Sequence, residues 1–346
     1  MALKEPQNHS DYGGKKMKKA GIALLLMAMI MTAGCGSNVE SVKKTDADAP
    51  DRMEEQAGTE TEVEEEQEER IYTTGDRIVF DNEYALTIIG VTETDERNEF
   101  SEKEVEQVLI VEYLYENLAS DEEIYISEFE FKLVDQGGNM MDSYPVEATH
   151  SPSYTPKGAK TLGSFAVGTT VKSEKIDMHY YDNFFASESD CIFSIPVGEK
   201  VEVSLDGVLP EYPNTFGIGE IIEVSTEAGE YTLTIDSVKK TEERNEYEKR
   251  QPEAVYEIQY TYSNISISEP LWITDYSFTL IDEKGNTGYS YPNFSDVSAS
   301  ETVKGARSTG IMFLAAHRDS QKVMLSYKDN MFNTNSDFFI KLENIN

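Results

Sequence analysis

The stretch VEYLYENL at residues 111–118 returns as IQYTYSNI at 258–265, 147 residues further along the chain. In each copy two tyrosines stand two apart: Tyr113 and Tyr115, then Tyr260 and Tyr262. Side chains of a strand alternate between faces, so each pair shares one face. These rings are expected over a core, with hydroxyls reaching solvent, in preference to a ligand-stacking surface. At the same offset FKLVDQGGN (131–139) matches FTLIDEKGN (278–286), and YYDNFF (180–185) matches YKDNMF (327–332). Tyr144-Pro145 matches Tyr291-Pro292, and Lys157-Gly158 matches Lys304-Gly305. A fixed register held over roughly 100 residues marks a tandem duplication. Each copy is long enough to bury a core of its own.

The pattern inside a copy is β. YALTIIGV and YTLTIDSV alternate apolar and polar residues, as do LIVEYLYEN and YEIQYTYSN. Asp135 and Asp282 open Asp-x-x-Gly-Asn turns that lead into partner strands. These aspartates superficially resemble calcium loops but lack the full alternating ligand series, so a turn is the better reading. Roughly seven short strands per copy and no long amphipathic helix predict an all-β fold of two antiparallel sandwiches. Stretches 99–107 and 246–254 carry a helical-turn signal, weakened in the second copy by Pro252. The boundary falls in LPEYPNTFGIG (209–219), giving domains at 71–210 and 214–346.

Between the first two long strands of each copy sits a charged heptapeptide: TDERNEF (94–100) and TEERNEY (241–247). Arg97, Asn98 and Glu99, with Arg244, Asn245 and Glu246, form candidate binding loops. Local pairing of Arg97 with Glu99 and of Arg244 with Glu246 is expected. An exposed pair is worth only about 0–1 kcal/mol, so stability alone is a weak reason to keep the arginine. A second candidate surface is the Pro/Ser/Tyr-rich loop 143–156 with its counterpart 290–300, carrying Tyr144, Tyr154 and Tyr291. Long structured loops are where binding tends to reside.

KKMKKAGIALLLMAMIMTAGC (15–35) has the basic, apolar and small-residue regions of a bacterial export signal. Its apolar run is about 12 residues, short of the roughly 20 a spanning helix needs. TAGC resembles the bacterial lipobox, with Thr32 where leucine is usual. Residues 1–34 read as signal peptide, and Cys35 as the acylated (palmitate-bearing) first residue and membrane anchor. Met17 followed by two lysines reads as the start, with 1–16 an upstream extension. Residues 35–70 hold dense like charge and few large apolar groups, predicting a disordered acidic linker.

Acidic residues outnumber basic ones by 65 to 30, a formal charge of −35 that disfavours nucleic acid as a partner. Of four histidines, His9 lies in the upstream extension. His150, His179 and His317 are not repeated between copies and are expected at loops or edges rather than on a metal. Cys191 opens the apolar run CIFSIP and reads as a buried strand position. No nucleophile motif, phosphate loop or dinucleotide fingerprint is present. The expectation is therefore no catalytic residue, no metal and no cofactor.

The lipobox, the acidic tether and units of the form Y-x-Y-x-N … F-x-L-x-D-x-x-G-N resemble a group of bacterial surface lipoproteins. Their domains are similar to the immunoprotective extracellular antigen family. That resemblance covers 71–346 and implies immunoglobulin-like sandwiches on the extracellular side of the bacterial cell membrane, with no established catalytic residues. The expected duty is non-enzymatic binding of an extracellular protein, peptide or glycan. The alternatives are a purely structural envelope spacer, or a cell-wall hydrolase with two carboxyls about 5–10 Å apart.

Overall fold

A strand that alternates apolar and polar residues settles with one face on a core and the other toward solvent. The computed structural model describes residues 71–183, 185–330 and 333–345. The signal segment, Cys35 and the acidic linker lie outside the described residues.

In the first copy the strands are β1 (Ile71–Tyr72), β2 (Arg77–Phe80), β3 (Tyr84–Thr94), β4 (Gln107–Asn117), β5 (Phe131–Val134), β6 (Asp142–Ser143), β7 (Lys160–Thr169), β8 (Lys175–Tyr180) and β9 (Cys191–Pro196). The second copy repeats them as β10 (Thr215–Gly217), β11 (Ile222–Thr226), β12 (Gly229–Thr241), β13 (Ala254–Asn264), β14 (Phe278–Ile281), β15 (Tyr289–Ser290), β16 (Arg307–Ala316), β17 (Lys322–Tyr327) and β18 (Phe338–Glu343). Sheet orders β1-β9-β8-β5 and β2-β3-β4-β7-β6 recur as β10-β18-β17-β14 and β11-β12-β13-β16-β15. The fold is two tandem immunoglobulin-like antiparallel β-sandwiches. Each has one parallel pairing, where its short first strand runs beside its last (β1 with β9, β10 with β18).

The four tyrosines of the repeated motif are buried between the sheets of their own copies. Their hydroxyls end on loop carbonyls rather than in solvent: Tyr113 donates to Ile126 (2.8 Å) and Tyr260 to Ile273 (2.9 Å). Tyr115 donates to Ser153 (2.5 Å) and Tyr262 to Ser300 (2.6 Å). A buried hydroxyl without a partner would cost more than the ring gains in fit, so the connecting loops close over the core to meet it. The Asp135 and Asp282 carboxylates are likewise used internally. Each Oδ1 accepts the backbone N–H groups of its own turn, from Gly137 and Asn139 or from Lys284 and Asn286. Gly138 and Gly285 sit at φ of +80° and +82°, which only glycine adopts without strain. Stretches 99–107 and 246–254 form no helix; a single turn at each start gives way to irregular chain.

Both long β3–β4 and β12–β13 ladders bulge at one position, between Ile88 and Gly90 and between Ile235 and Ser237. There the copies part ways. Ile89, Leu114 and Leu162 form an apolar patch on the outer face of the first sandwich, covered by Val203 and Leu205 of the chain that leaves it. The equivalent positions in the second sandwich are Asp236, Thr261 and Thr309, which hydrogen-bond to one another at 2.7 Å. Gly90 lets this covering chain pass, since a side-chain carbon there would collide with the Glu199 carbonyl.

The described residues of the two sandwiches form one compact unit. Where the sandwiches meet, two backbone hydrogen bonds converge on Lys160: its N–H donates to Gly285 O and its carbonyl accepts from Thr287 N–H, both 2.9 Å. Leu209 N–H donates to Glu283 O (3.0 Å). Ala159, Leu209 and Tyr212 pack on Ile281, Met324 and Phe339 in a small apolar cluster. Beside it Lys328 reaches across to Glu123 (2.9 Å) with both side chains largely buried.

Candidate functional site

The loop 143–156 turns toward the second sandwich because Tyr115 grips it from both sides: its hydroxyl donates to Ser153 O and accepts from Ser153 N–H (2.9 Å). This places Ser151–Tyr154 opposite Asp275, Tyr276 and Tyr289 across a cleft of about 540 Å³. Tyr125 and Arg250 complete its walls. Although the sandwich is duplicated, this cleft exists as an inter-copy feature, made from unlike parts of the two repeats.

Aromatic rings dominate it. Tyr125 and Tyr154 lie with ring centroids 4.9 Å apart, and Lys328 Nζ sits 3.3 Å from the Tyr154 centroid. Tyr276 is 85% exposed at the rim, unlike its repeated-motif cousins in the core. Arg250 stacks at 4.2 Å on the Tyr289 ring and makes a two-pronged pair with Glu248 (2.8 and 2.6 Å). That pair, chiefly through the hydrogen bonds from Arg250, holds the Glu248 carboxyl below its usual range. Arg250 is thereby fixed as a planar wall rather than a mobile cation. The first copy has Ser101, Lys103 and Asp142 at the positions of Glu248, Arg250 and Tyr289, and its Lys103–Asp142 contact is loose at 3.9 Å.

The candidate residues named from the sequence divide sharply. Tyr154 lines the cleft. Tyr144 and Tyr291 are buried and accept the Asn98 and Asn245 backbone N–H groups at 3.3 and 3.2 Å. The Asn98 side chain donates to Pro145 O (2.7 Å), and Asn245 does the same to Pro292 O. Arg97 donates to the carbonyls of Thr94 and Glu96 (2.8 and 2.9 Å), and Arg244 to those of Thr241 and Glu243 (2.7 and 3.1 Å). The expected pairing with Glu99 and Glu246 is thus replaced by a grip on the turn's own backbone. The guanidinium serves backbone carbonyls at and just beyond the strand end, a need that charge counting does not reveal. Glu99 and Glu246 remain exposed. Tyr125, Arg250, Asp275, Tyr276 and Tyr289 were missed, although divergence between copies at 250 and 289 was a visible signal.

Cys191 is buried, and burial with Asp190 nearby pushes its thiol up to about 12, an inert position for a nucleophile. Among the described residues no group of three or more His, Cys, Asp or Glu is arranged to hold a metal ion. His179 lies on β8, an interior strand between β9 and β5, rather than at the loop or edge expected, because its neighbours Lys132 and Ile192 pair with it from both sides; His150 and His317 meet ring to ring at 5.4 Å between the sandwiches. Their separate loops converge only because the two copies pack together.

Three solved structures are similar to parts of this chain. The secreted protein MPT63 of Mycobacterium tuberculosis aligns over 39% of this chain and 99% of its own, at 14% identity and a TM-score of 0.31. A candidate lipoprotein of Bacillus subtilis, ycdA, aligns over 35% and 38%, at 15% identity and a TM-score of 0.28. The yjhA protein of Bacillus subtilis aligns over 37% and 99%, at 20% identity and a TM-score of 0.28. No protein-family model and no curated protein matches the chain.

Proposed function

We propose that this chain is a non-enzymatic binding protein of the bacterial envelope, anchored through a lipid on Cys35 and facing the extracellular side. The motifs of its modules, 71–210 and 214–346, resemble those of surface lipoproteins similar to the immunoprotective extracellular antigen, which supports this reading. The observation that carries the binding reading is the inter-sandwich cleft. Its volume of about 540 Å³ falls in the range of small-ligand sites, roughly 300–1,000 Å³. Its lining alternates aromatic rings (Tyr125, Tyr154, Tyr276) with polar groups (Ser151, Thr279, Asp275). A short glycan suits such a surface, because a sugar ring offers an apolar face to an aromatic ring and hydroxyls to the polar groups. Among the described residues of the lining Asp275 is the single carboxylate, whereas glycoside hydrolysis uses two.

Calorimetric titration with soluble cell-wall glycan fragments tests this. Binding is expected, with Tyr276→Ala and Tyr125→Ala each weakening it about tenfold, the scale of one lost aromatic contact. Heat with envelope peptides but none with glycans would move the ligand class to peptide. No heat with either at millimolar concentration would remove the cleft as a binding site. For the anchor, Cys35→Ser is expected to shift the protein from the membrane fraction to the medium and to abolish palmitate labelling.

A further inference from the structure

The junction that shapes the cleft contains two histidines for which neither copy has an equivalent. His150 sits in the loop between β6 and β7, and His317 directly follows β16. Their rings meet edge to face at 5.4 Å, and His317 also contacts the Tyr289 ring at 5.8 Å. Nδ1 of His150 is shut off from solvent with no hydrogen-bond partner. Nε2 lies 3.7 Å from Glu112, but that carboxylate already accepts two hydrogen bonds from Lys200 (2.8 and 2.7 Å). A proton added at Nδ1 of His150 would find no acceptor, and Nε2 would have to share a Glu112 carboxylate already paired with Lys200, so the ring is placed to be neutral.

The surrounding charges reinforce this. The covering chain contributes Lys200 and β4 contributes Glu112, already matched to each other. The segment before β13 contributes Arg250, matched by Glu248, and Glu253, matched by Arg318 from the chain after β16. Asp319 is taken by Lys240, and Glu147 faces Arg250 and Lys249 from the 143–156 loop. Glu112, Glu248, Glu253 and Asp319 each have a cation of their own, so beside them an imidazolium would be a surplus charge, while Glu147 faces cations already paired with Glu248 and Glu96.

We propose that His150 and His317 form an acid-sensitive latch, in which protonation of the pair loosens the sandwich junction and with it the Tyr154–Tyr276 cleft. The ligand-release part of this rests on the binding role given to the cleft; the latch itself does not. Burial first, then Lys200 and Arg250, lowers His150 to about 4. Burial first, then His150, Arg250 and Arg318, lowers His317 to about 4, with Glu253 opposing. An imidazole held below its ordinary value of 6.5 supports the docked state fully above that value. The support is lost as pH falls from about 6.5 toward about 4. At pH 5 each ring alone would shift the docking equilibrium by roughly 30-fold, and coupling within the pair lowers the combined figure.

Hydrogen exchange on the full chain tests the latch without any ligand. Protection is read at the Lys160, Leu209 and Thr287 amides, which bridge the sandwiches, and at β4 and β13 amides as internal controls. After correction for intrinsic rates, junction protection is expected to fall at least tenfold more than the controls between pH 7 and pH 5. In H150F/H317F that excess is expected to vanish. Junction and control amides weakening in parallel would overturn the latch, as would an unchanged excess in the double variant. Histidine titration by NMR on the unaltered protein covers the case of a variant that fails to fold: values near 6.5 for both rings would also overturn it. Acid-loosened junction amides with unchanged glycan affinity at pH 5 would leave the latch standing and remove the cleft from the binding role.

Discussion

Tyr113→Ala is expected to cost about 3–5 kcal/mol of folding stability, the scale of a large aromatic lost from a packed core. The ring is fully buried between the two sheets and lies directly over Gly163, where any side-chain carbon would collide with it. It also meets Phe131 at 5.5 Å, Phe165 at 5.9 Å and Tyr115 at 6.1 Å, so its removal strips contacts from three rings together. Tyr113→Phe isolates the hydroxyl. It removes the bond to the Ile126 carbonyl and leaves that carbonyl unpaired, at a cost of roughly 1–3 kcal/mol. Duplication sharpens the test. Tyr260→Ala, at the equivalent position over Gly310, should produce the same loss in the second sandwich. Chemical denaturation followed by calorimetry checks both; a loss under 1 kcal/mol for either alanine variant would contradict the packing described above.

Glu123→Ala is expected to destabilise the junction by about 3–5 kcal/mol, because it leaves the largely buried Lys328 with the Asn333 and Thr334 carbonyls but no counter-charge. Lys328 is 11% exposed and Glu123 5% at the side chain. Burial already lowers Lys328 from its usual value, and Glu123 opposes that shift. The carboxylate also accepts from the Ser336 N–H and hydroxyl at 2.8 and 2.5 Å. Removing both charges is a different matter: E123L/K328M trades the ion pair for apolar contact and should recover most of the loss. The measurement is protection of the Lys160 and Thr287 amides, together with the thermal midpoint. If the double variant is as weak as the single one, the Ser336 bonds to the Glu123 carboxylate and the Lys328 bonds to the Asn333 and Thr334 carbonyls, rather than charge, carry this part of the junction. Glu123 and Lys328 have Pro270 and Tyr181 as counterparts, so neither copy possesses this pair internally.

Much of the fold was legible in the chain because duplication supplies two readings of one pattern. Alternation at β4 and β13, the Asp-x-x-Gly-Asn turns and the Tyr-x-Tyr-x-Asn motif depend on local spacing, which any sequence displays. The heptapeptides were harder. Their charges drew attention to Arg97 and Arg244 as candidate contacts, yet each arginine holds carbonyls of its own turn. Asn98 and Asn245 tie those turns to the loops that begin at Tyr144 and Tyr291. Repetition of these residues is explained by a shared structural task.

The differences between copies proved the better guide to what is unique here. Ile89, Leu114 and Leu162 against Asp236, Thr261 and Thr309 mark a face covered in one sandwich and open in the other. Arg250 and Tyr289 against Lys103 and Asp142 mark the cleft wall.

By itself the sequence determined an all-β duplicated chain, its strand faces and its turns, because these follow from side-chain periodicity and local backbone preference. Only the tertiary structure decided that the sandwiches dock, that Tyr154 and Tyr276 face one cleft, and that His150 and His317 touch. Those residues are far apart in the chain and absent from any repeat. Their meeting depends on the packing of one copy against the other, for which no local pattern exists.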